Sequence, residues 1–300
     1  MRVLITGATG LLGKYVVDYL SSLGHEVVAV VRKVNDETLP EDIEHLCLDI
    51  SNQDVADIII DGVDAIVHLA SHVPAKDSLD DAESCFRVNS FGTRYLLELA
   101  LRSRIKNFIY VSSIAVYGDV LAYPLTENHS ICPKGYYGLS KYLGELFCTD
   151  YEHNHGMRCV VLRLSSVFGE GYRRETLLPK FVNLARRGLS LTVYGSGLRE
   201  QDFVYGYDVA QVIEKAIRLV NISGSFNIGS GVGTSVIELA ETVRQVFNPS
   251  LEIVCVEGEE DRQKICLGIS KAANLLGYKP KYSLEEGLID MKHRLTAEER

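Results

Sequence analysis

The chain has 300 residues, of which 46% are hydrophobic and 24% are charged, a composition that excludes a mainly disordered protein and suits one large α/β domain or two unequal ones. The formal net charge of −9 at pH 7 repels phosphodiester backbones and excludes nucleic acid as the main partner, although a small anionic ligand needs only a local positive site. All apolar runs are shorter than the roughly 18 residues of a membrane-spanning helix, so we expect no membrane partner.

Predicted strands and helices alternate along the first half of the chain. Short apolar runs that are typical of buried strands lie at residues 3–6, 26–31, 45–48, 65–69, 107–112 and 158–164. Helical spacing of apolar residues predicts helices over residues 11–23, 85–102 and 136–153. Strands that are separated by helices pair in parallel with right-handed crossovers, so we predict the α/β class with a Rossmann-type doubly wound parallel sheet.

The alternating pattern loosens after residue 164. Glycines and prolines become frequent between residues 168 and 197, and a further strand–helix stretch at 203–219 is expected to return to the main sheet. We therefore predict a Rossmann domain of residues 1–165 plus about 203–228, and a smaller C-terminal α/β lobe of about 166–202 and 229–300.

A glycine-rich segment, TGATGLLG at residues 6–13, follows the first predicted strand and opens the first predicted helix. Gly7 allows a tight turn, Gly10 allows the backbone to approach a pyrophosphate, and Gly13 allows helix and strand to pack closely. Backbone N–H groups at the helix start, with the positive end of the helix dipole behind them, face the phosphates. The position of the motif predicts a dinucleotide-binding loop. The cofactor contacts expected from it are Gly7, Thr9, Gly10, Leu11 and Leu12.

The end of the second predicted strand bears on which dinucleotide binds. NAD enzymes usually have Asp or Glu there, which accepts hydrogen bonds from the ribose hydroxyls. Here Arg32 and Lys33 follow the strand, and a guanidinium can pair with a 2′-phosphate; a solvated strand end is the alternative. We expect NADP or NAD, with Arg32 favouring NADP. Asp49 and Ile50, after the third strand, are expected at the adenine, unless Asp49 is an ordinary turn residue.

Three residues form a candidate catalytic group. Tyr137 and Lys141 are four residues apart in a predicted helix and so share a face. An ammonium near a phenol lowers the phenol pKa and makes the phenolate usable as a base near neutral pH. Ser113 follows a predicted strand, where its hydroxyl can bond a substrate oxygen at the sheet edge that binds ligands. A surface Tyr–Lys pair and a turn serine are each common alone, but their joint presence predicts a catalytic site.

These motifs resemble the extended short-chain dehydrogenase/reductase superfamily, and YGLSK at residues 137–141 with Glu145 resembles its NAD-dependent epimerase/dehydratase branch, which acts on nucleotide sugars. The resemblance includes VHLA at 67–70, NSFGT at 89–93 and LTVYGSG at 191–197. It implies hydride transfer between nicotinamide and a secondary alcohol carbon of a sugar, with Tyr137 moving the hydroxyl proton. The residues to which it assigns roles are the catalytic Ser113, Tyr137 and Lys141 and the cofactor contacts Leu69, Ala70, Asn89, Tyr137 and Lys141.

One departure from the family pattern reduces the number of possible reactions. The 4,6-dehydratases of the family carry an Asp–Glu pair just after the serine position, where this chain has Ile114 and Ala115. Neither side chain can transfer a proton, so we expect an epimerase or reductase and not a dehydratase of that kind. A ketoreductase or dehydrogenase acting on a non-nucleotide substrate is the alternative.

Further departures concern the substrate. The arginine that usually precedes Asp-Phe is Gln201 here, a second phosphate-clamping arginine falls on Gly258, and a usual asparagine is Ser166. A neutral amide cannot supply a charge-assisted bond to a diphosphate. Either neighbouring arginines substitute or the substrate is not a nucleotide diphosphate sugar. The candidate substrate-binding residues are Ser113, Ser166, Arg199, Gln201 and Arg262.

The remaining expectations concern the cysteines, the cellular location, His68 and the oligomeric state. The seven cysteines have no metal-ligand spacing, so we expect reduced thiols, a cytoplasmic location and no metal site. His68 is expected to be a packed or backbone-bonded core residue. A homodimer through the helices at 85–102 and 136–153 is what the resemblance implies. A non-catalytic dinucleotide-sensing protein is disfavoured because Tyr137 and Lys141 are both present.

Overall fold

The computed structural model describes residues 1–32, 39–40, 42–74, 79–119, 122–171, 176–258 and 262–298. No helix in these ranges is long and apolar enough to cross a lipid bilayer. The same residues contain no group of three or more His, Cys, Asp or Glu side chains placed to hold a metal ion.

The strands belong to three sheets. In chain order they are β1 (Arg2–Thr6), β2 (Glu26–Val31), β3 (Glu44–Cys47), β4 (Ala65–His68), β5 (Asn107–Ser113), β6 (Arg158–Leu164), β7 (Ser166–Phe168), β8 (Leu191–Tyr194), β9 (Glu200–Tyr205), β10 (Gly224–Ile228), β11 (Gly233–Ser235) and β12 (Ile253–Val256). The main sheet has the order β10-β6-β5-β4-β1-β2-β3, and its neighbouring strands are all parallel. The doubly wound parallel sheet predicted from the sequence is therefore confirmed.

Helices cover both faces of this sheet. In chain order they are α1 (Leu11–Ser22), α2 (Leu79–Cys85), α3 (Gly92–Arg102), α4 (Gly135–His155), α5 (Leu177–Arg186), α6 (Gly206–Arg218), α7 (Val236–Phe247), α8 (Ser270–Leu276) and α9 (Leu284–Glu298). A π-helical turn, Phe86–Phe91, joins α2 to α3. The helix predicted over 85–102 thus begins earlier and contains a π turn, a feature often found at functional sites.

Alternate side chains of each central strand pack into hydrophobic cores on opposite faces of the sheet. Val3 and Ile5 pack with side chains of α1 and α6 on one face, whereas Leu4 packs with side chains of α3 and α4 on the other. This alternation follows from the two-residue repeat of a strand. A sheet whose two faces are both buried needs apolar side chains on each face. Helix α4, which carries the predicted Tyr–Lys pair, is thereby held against the carboxyl end of β5.

The second half of the chain adds two small sheets. One consists of β11, β9 and β7, and the other of β12 and β8. The strand at the start of the 203–219 stretch was expected in the main sheet. It is instead part of β9, which pairs with β7 and β11. The chain returns to the main sheet through β10, which pairs with β6. The buried carboxylate of Asp202 in β9 accepts hydrogen bonds from the backbone N–H groups of Ser230, Gly231 and Leu267, so β9 is tied to two segments that are distant in sequence.

Candidate active site

The glycine loop is packed so closely that side chains cannot be added at two positions. Gly7 has φ +73°, and a Cβ there would lie 2.6 Å from the Ala70 backbone nitrogen. A Cβ at Gly13 would lie 2.2 Å from the Gly7 oxygen. Both distances are far below van der Waals contact, so glycine at these positions lets the start of α1 lie against the ends of β1 and β4.

A cleft of about 520 Å³ opens beside this loop at the carboxyl ends of β1, β2 and β4. Within the described residues 10–14, the start of α1 has no capping side chain and no acidic residue in its first turn, so its N–H groups can receive a phosphate. These features fit a dinucleotide. The predicted contacts that line the cleft are Gly7, Thr9, Gly10, Arg32, Asp49, Ile50, Leu69 and Ala70.

The other predicted cofactor contacts lie elsewhere. Leu11 and Leu12 begin α1 and pack against the core, and Lys33 lies outside the described residues. Asn89 is fully buried behind the cleft. Its side-chain oxygen accepts the His72 backbone N–H at 2.7 Å, and its nitrogen donates to Ser140 Oγ at 3.0 Å. Asn89 thereby connects the segment after β4 to helix α4.

Two guanidinium groups line the cleft near Asp49. The carboxylate of Asp49 accepts hydrogen bonds from the backbone and hydroxyl of Ser51, and these bonds lower its pKa, with further lowering by the positive charges of Arg32 and Arg87. Arg87 was missed by the sequence analysis. It lies in the π-helical turn, far from Arg32 in sequence, and no local motif marks it as a cleft residue.

Helix α4 brings Tyr137 and Lys141 to the end of β5. Tyr137 is half-buried, and a Cβ on the adjacent Gly138 would lie 2.6 Å from the Ala115 carbonyl oxygen, which shows how closely α4 approaches the turn after Ser113. Ser113 is half-buried, and its Oγ accepts the Ala115 N–H at 3.2 Å. The three predicted catalytic residues therefore belong to one contact region between β5 and α4.

The ammonium of Lys141 is fully buried over an aromatic ring. Its Nζ lies 4.2 Å from the ring centroid of Tyr110, an arrangement in which the ring face attracts a cation. Burial lowers the pKa of Lys141 to about 7, while the carboxylate of Glu145 acts in the opposite direction. Burial thus makes the ammonium of Lys141 easier to deprotonate, and any group that adds hydrogen bonds to the ammonium favours its charged form.

A buried polar network holds α4 in place. Glu145 accepts a hydrogen bond from Ser112 Oγ at 2.6 Å and forms an ion pair with Arg163 at 2.7 Å. Arg163 Nη1 donates to the Tyr117 hydroxyl at 3.0 Å, which in turn donates to Asn227 Oδ1 at 2.7 Å. The network joins α4 to β5, β6 and β10, so the position of the helix is set by charged and polar contacts as well as by apolar packing.

The predicted substrate residues are divided between the main sheet and the small sheets of the second half of the chain. Gln201 donates a hydrogen bond from Nε2 to Ser166 Oγ, and both residues line a small cavity of about 100 Å³. Arg199 is half-buried just before β9. Arg262 is exposed in a segment that runs beside the start of β9, where the Glu200 N–H donates to the Gln263 oxygen at 2.9 Å. The structure brings Ser166 and Gln201 into contact, whereas Arg199 and Arg262 do not line their cavity and Ser113 lies at the end of β5.

Comparisons with known proteins agree with this geometry. A family model described as the NAD dependent epimerase/dehydratase family matches residues 3–229. The chain is 30% identical to a putative UDP-glucose 4-epimerase of Methanocaldococcus jannaschii, covering 95% of each chain. It is 32% identical to UDP-glucuronic acid decarboxylase 3 of Arabidopsis thaliana, covering 96% of this chain and 87% of the relative. The crystal structure of UDP-glucose 4-epimerase from Thermotoga maritima with UDP-glucose is 26% identical, with a TM-score of 0.87 over 100% of each chain.

Proposed function

The chain belongs to the NAD-dependent epimerase/dehydratase family and is an NAD(P)-dependent enzyme of the extended short-chain dehydrogenase/reductase type. On this premise we propose that it epimerises or reduces a secondary alcohol or ketone carbon of a nucleotide-linked sugar. Tyr137 and Lys141 do not themselves line the cleft. The observation that carries the proposal is that α4, which bears both residues, is joined to the cleft residue His72 through the side chain of Asn89, which accepts the His72 N–H and donates to Ser140 Oγ. We also propose that the substrate lies between this region and the predicted lobe of residues 166–202 and 229–300.

The proposed chemistry assigns one task to each side chain. A dinucleotide would be held in the cleft by Gly7, Gly10 and Arg32, and it would supply hydride-transfer chemistry at the carbinol or carbonyl carbon. Tyr137 removes the hydroxyl proton as the carbonyl forms and returns it afterwards. Lys141 stabilises the phenolate by its charge and can donate hydrogen bonds to the ribose hydroxyls. Ser113 Oγ donates a hydrogen bond to the reacting oxygen.

The turn after Ser113 supports the restriction to epimerisation or reduction. Ile114 packs in an apolar cluster with Val116 and Tyr117, and the next residue is Ala115. A reaction that also removes water from the sugar needs a second acid–base pair, and neither side chain carries an ionisable group. Hydride transfer with one proton shift needs only the Ser–Tyr–Lys group.

The experiment that tests the proposal uses two neighbouring tyrosines. Tyr137→Phe should retain the dinucleotide and lose at least about 100-fold in turnover, since general acid–base catalysis contributes about 10²–10⁴-fold. Tyr136→Phe is the matched control, because the residue four positions later is Ser140 rather than a lysine. Full turnover in Tyr137→Phe would refute the proposed mechanism. Mass spectrometry of ligands released from the native protein identifies the cofactor, and a cofactor that is retained through turnover favours the epimerase.

We propose NADP as the preferred dinucleotide. Support comes from Arg32 and Arg87, two cleft residues whose positive charges both act on Asp49. A 2′-phosphate can form charge-assisted hydrogen bonds with guanidinium groups. The absence of a carboxylate after Val31 agrees with this preference, since described residue 32 is an arginine.

A second candidate function is the reduction of a non-nucleotide sugar or ketone. The Gln201–Ser166 hydrogen bond favours a non-nucleotide substrate. Both side chains are neutral, whereas a diphosphate would be bound more strongly by a cationic side chain at this position. Gln201→Arg tests the two cases. If the substrate is a nucleotide diphosphate sugar, the new cation should lower the KM about tenfold. If the substrate carries no phosphate, the KM should not fall.

We propose that the protein is a cytoplasmic homodimer that pairs through α3 and α4. Support for the dimer comes from large apolar side chains on this side of the molecule, Phe91, Leu139 and Leu146, which are 44%, 42% and 47% exposed. Exposed apolar patches of this kind mark protein–protein interfaces. The thiols of all seven cysteines are free, which supports a reducing compartment.

A further inference from the structure

A buried histidine connects the glycine loop to the helix that follows the π turn. His68 is the last residue of β4 and is fully buried. Its Nδ1 lies 2.7 Å from Thr6 Oγ1, and its Nε2 lies 3.0 Å from Thr93 Oγ1. His68 was expected to be a packed or backbone-bonded residue; it is packed, but its partners are two side-chain hydroxyls.

One tautomer of His68 is consistent with all the hydrogen bonds around it. With Thr93 Oγ1 donating its single proton to the Asn89 carbonyl at 2.6 Å, Thr93 Oγ1 accepts a proton from His68 Nε2. A neutral imidazole protonated at Nε2 has an acceptor at Nδ1, and Thr6 Oγ1 therefore donates to it. Thr6 Oγ1 in turn accepts the Ala70 N–H at 3.2 Å. Every donor and acceptor is thus satisfied in one tautomer.

The chain of hydrogen bonds continues to the catalytic helix. The side-chain nitrogen of Asn89 donates to Ser140 Oγ at 3.0 Å, and Ser140 Oγ donates to the carbonyl oxygen of Tyr137 at 2.9 Å. One end is therefore the backbone of Ala70, which lines the dinucleotide cleft. The other end is the backbone of the proposed catalytic tyrosine.

We propose that His68 is a positioning residue that fixes the distance between the glycine-loop cleft and Tyr137 through this chain, which we call the His68 relay. The proposal rests on the proposed function for the roles of its two ends. A histidine suits the middle of this chain because its neutral ring has one hydrogen-bond donor and one acceptor on opposite sides. Once both are hydrogen-bonded, the ring has little freedom to rotate.

The surroundings of His68 keep its ring neutral. Burial lowers its pKa well below the usual value, and the nearby Lys141 ammonium on α4 adds to this effect. Tyr110 on β5 packs against the ring, with centroids 5.6 Å apart. A doubly protonated ring would also leave Thr6 Oγ1 without an acceptor for its proton. The relay therefore keeps the same hydrogen-bond direction over the pH range in which the enzyme works.

The test changes Thr93, which has no direct contact with the proposed reacting atoms. Thr93→Val keeps the shape of the side chain but removes the hydroxyl, and we expect both dinucleotide affinity and kcat to fall about tenfold. Thr93→Ser keeps the hydroxyl and should restore both. Thr242→Val is the matched control, because Thr242 also bonds the carbonyl four residues earlier in its helix, at 2.8 Å, but has no histidine partner.

A second measurement determines which ring nitrogen of His68 carries the proton. In protein labelled with ¹⁵N-histidine, the His68 shifts should show protonated Nε2 and unprotonated Nδ1 from about pH 5 to about pH 8. Thr93→Val should change these shifts, whereas Thr93→Ser and Thr242→Val should not. A ring that titrates in this range, or that is protonated at Nδ1, overturns the relay even if the variants cannot be purified.

The outcomes separate this inference from the proposed function. Titration with NADPH and NADH, whose dihydronicotinamide rings fluoresce, measures affinity without substrate. Wild-type protein that binds neither dinucleotide refutes the proposed function, and the ¹⁵N shifts still decide whether the relay exists. If wild type binds and Thr93→Val has the same affinity and kcat, the positioning role is refuted while the proposed function stands.

Discussion

Glu145 and Arg163 form a buried ion pair at 2.7 Å, with side chains that are only 5% and 8% exposed. Glu145 lies on α4 one turn after Lys141, and Arg163 lies on β6 opposite Ser112 of β5. The pair is the charged centre of the network that holds α4 on the main sheet. Its carboxylate also supports the positive charge of Lys141.

Removing one partner of this pair should be costly. Glu145→Gln leaves the charge of Arg163 buried without a counter-charge, so we expect the free energy of unfolding to fall by about 3–5 kcal/mol. Urea denaturation measures the loss. Glu26→Gln is the control, because Glu26 pairs with Arg2 at the surface and is 64% exposed, where an ion pair contributes about 1 kcal/mol or less. Equal losses in the two variants would contradict this assignment.

The buried Lys141 should make stability depend on pH. Below about pH 7 both the folded and the unfolded chain carry its proton; between about pH 7 and the ordinary value of 10.5 only the unfolded chain does. The unfolded state then binds more protons, so this residue's contribution to stability rises with pH in that window, by at most about 1.4 kcal/mol per pH unit.

Lys141→Met tests this dependence in protein without added dinucleotide. The variant lacks the cost of burying an ammonium, so it should be more stable than wild type at pH 7, and the difference should shrink by about 1–3 kcal/mol at pH 9. Urea denaturation of both proteins at the two pH values gives the comparison. A stability difference that stays constant with pH would show that Lys141 has an ordinary pKa.

The cleft arginines should distinguish the two dinucleotides. Arg32→Ala should weaken NADP binding about tenfold or more, because a charge-assisted bond to the 2′-phosphate is lost, and should leave NAD binding nearly unchanged. Arg87→Ala should act in the same direction. Fluorescence titration measures both affinities, with the exposed Arg218→Ala on α6 as control. A loss of the same size for NAD and NADP would place the arginine at a group common to both.

The apolar surface of α4 should determine the oligomeric state. Leu146→Glu introduces a charge at the centre of the proposed interface, and a buried unpaired carboxylate opposes association. We expect the dimer to become a monomer in sedimentation equilibrium. Leu189→Glu is the control, since Leu189 is 42% exposed at a distant site after α5. A Leu146→Glu protein that remains dimeric would assign the interface to another surface.

Local patterns in the sequence were enough to predict the main elements and the motifs they carry. The six strands expected in the first half all lie in the main sheet, with ends that differ by at most one residue. The glycine loop and the Tyr137–Lys141 pair depend on spacings of three or four residues, which a strand–turn–helix or a single helix turns directly into geometry. The family could therefore be recognised from the sequence.

Other features depend on contacts between distant segments. Arg87 reaches the cleft through a π turn, Asp202 of β9 is bonded to two remote loops, and His68 finds its partners 62 and 25 residues away. Periodicity reports which face of an element is apolar, but not which polar groups meet when elements pack. The strands of the first half were thus predicted from the sequence alone. The tertiary structure decided the sheet to which β9 belongs, the buried ion pair, the hydrogen-bond partners of His68 and the place of Arg87 in the cleft, because burial makes each polar group take the partner that packing provides.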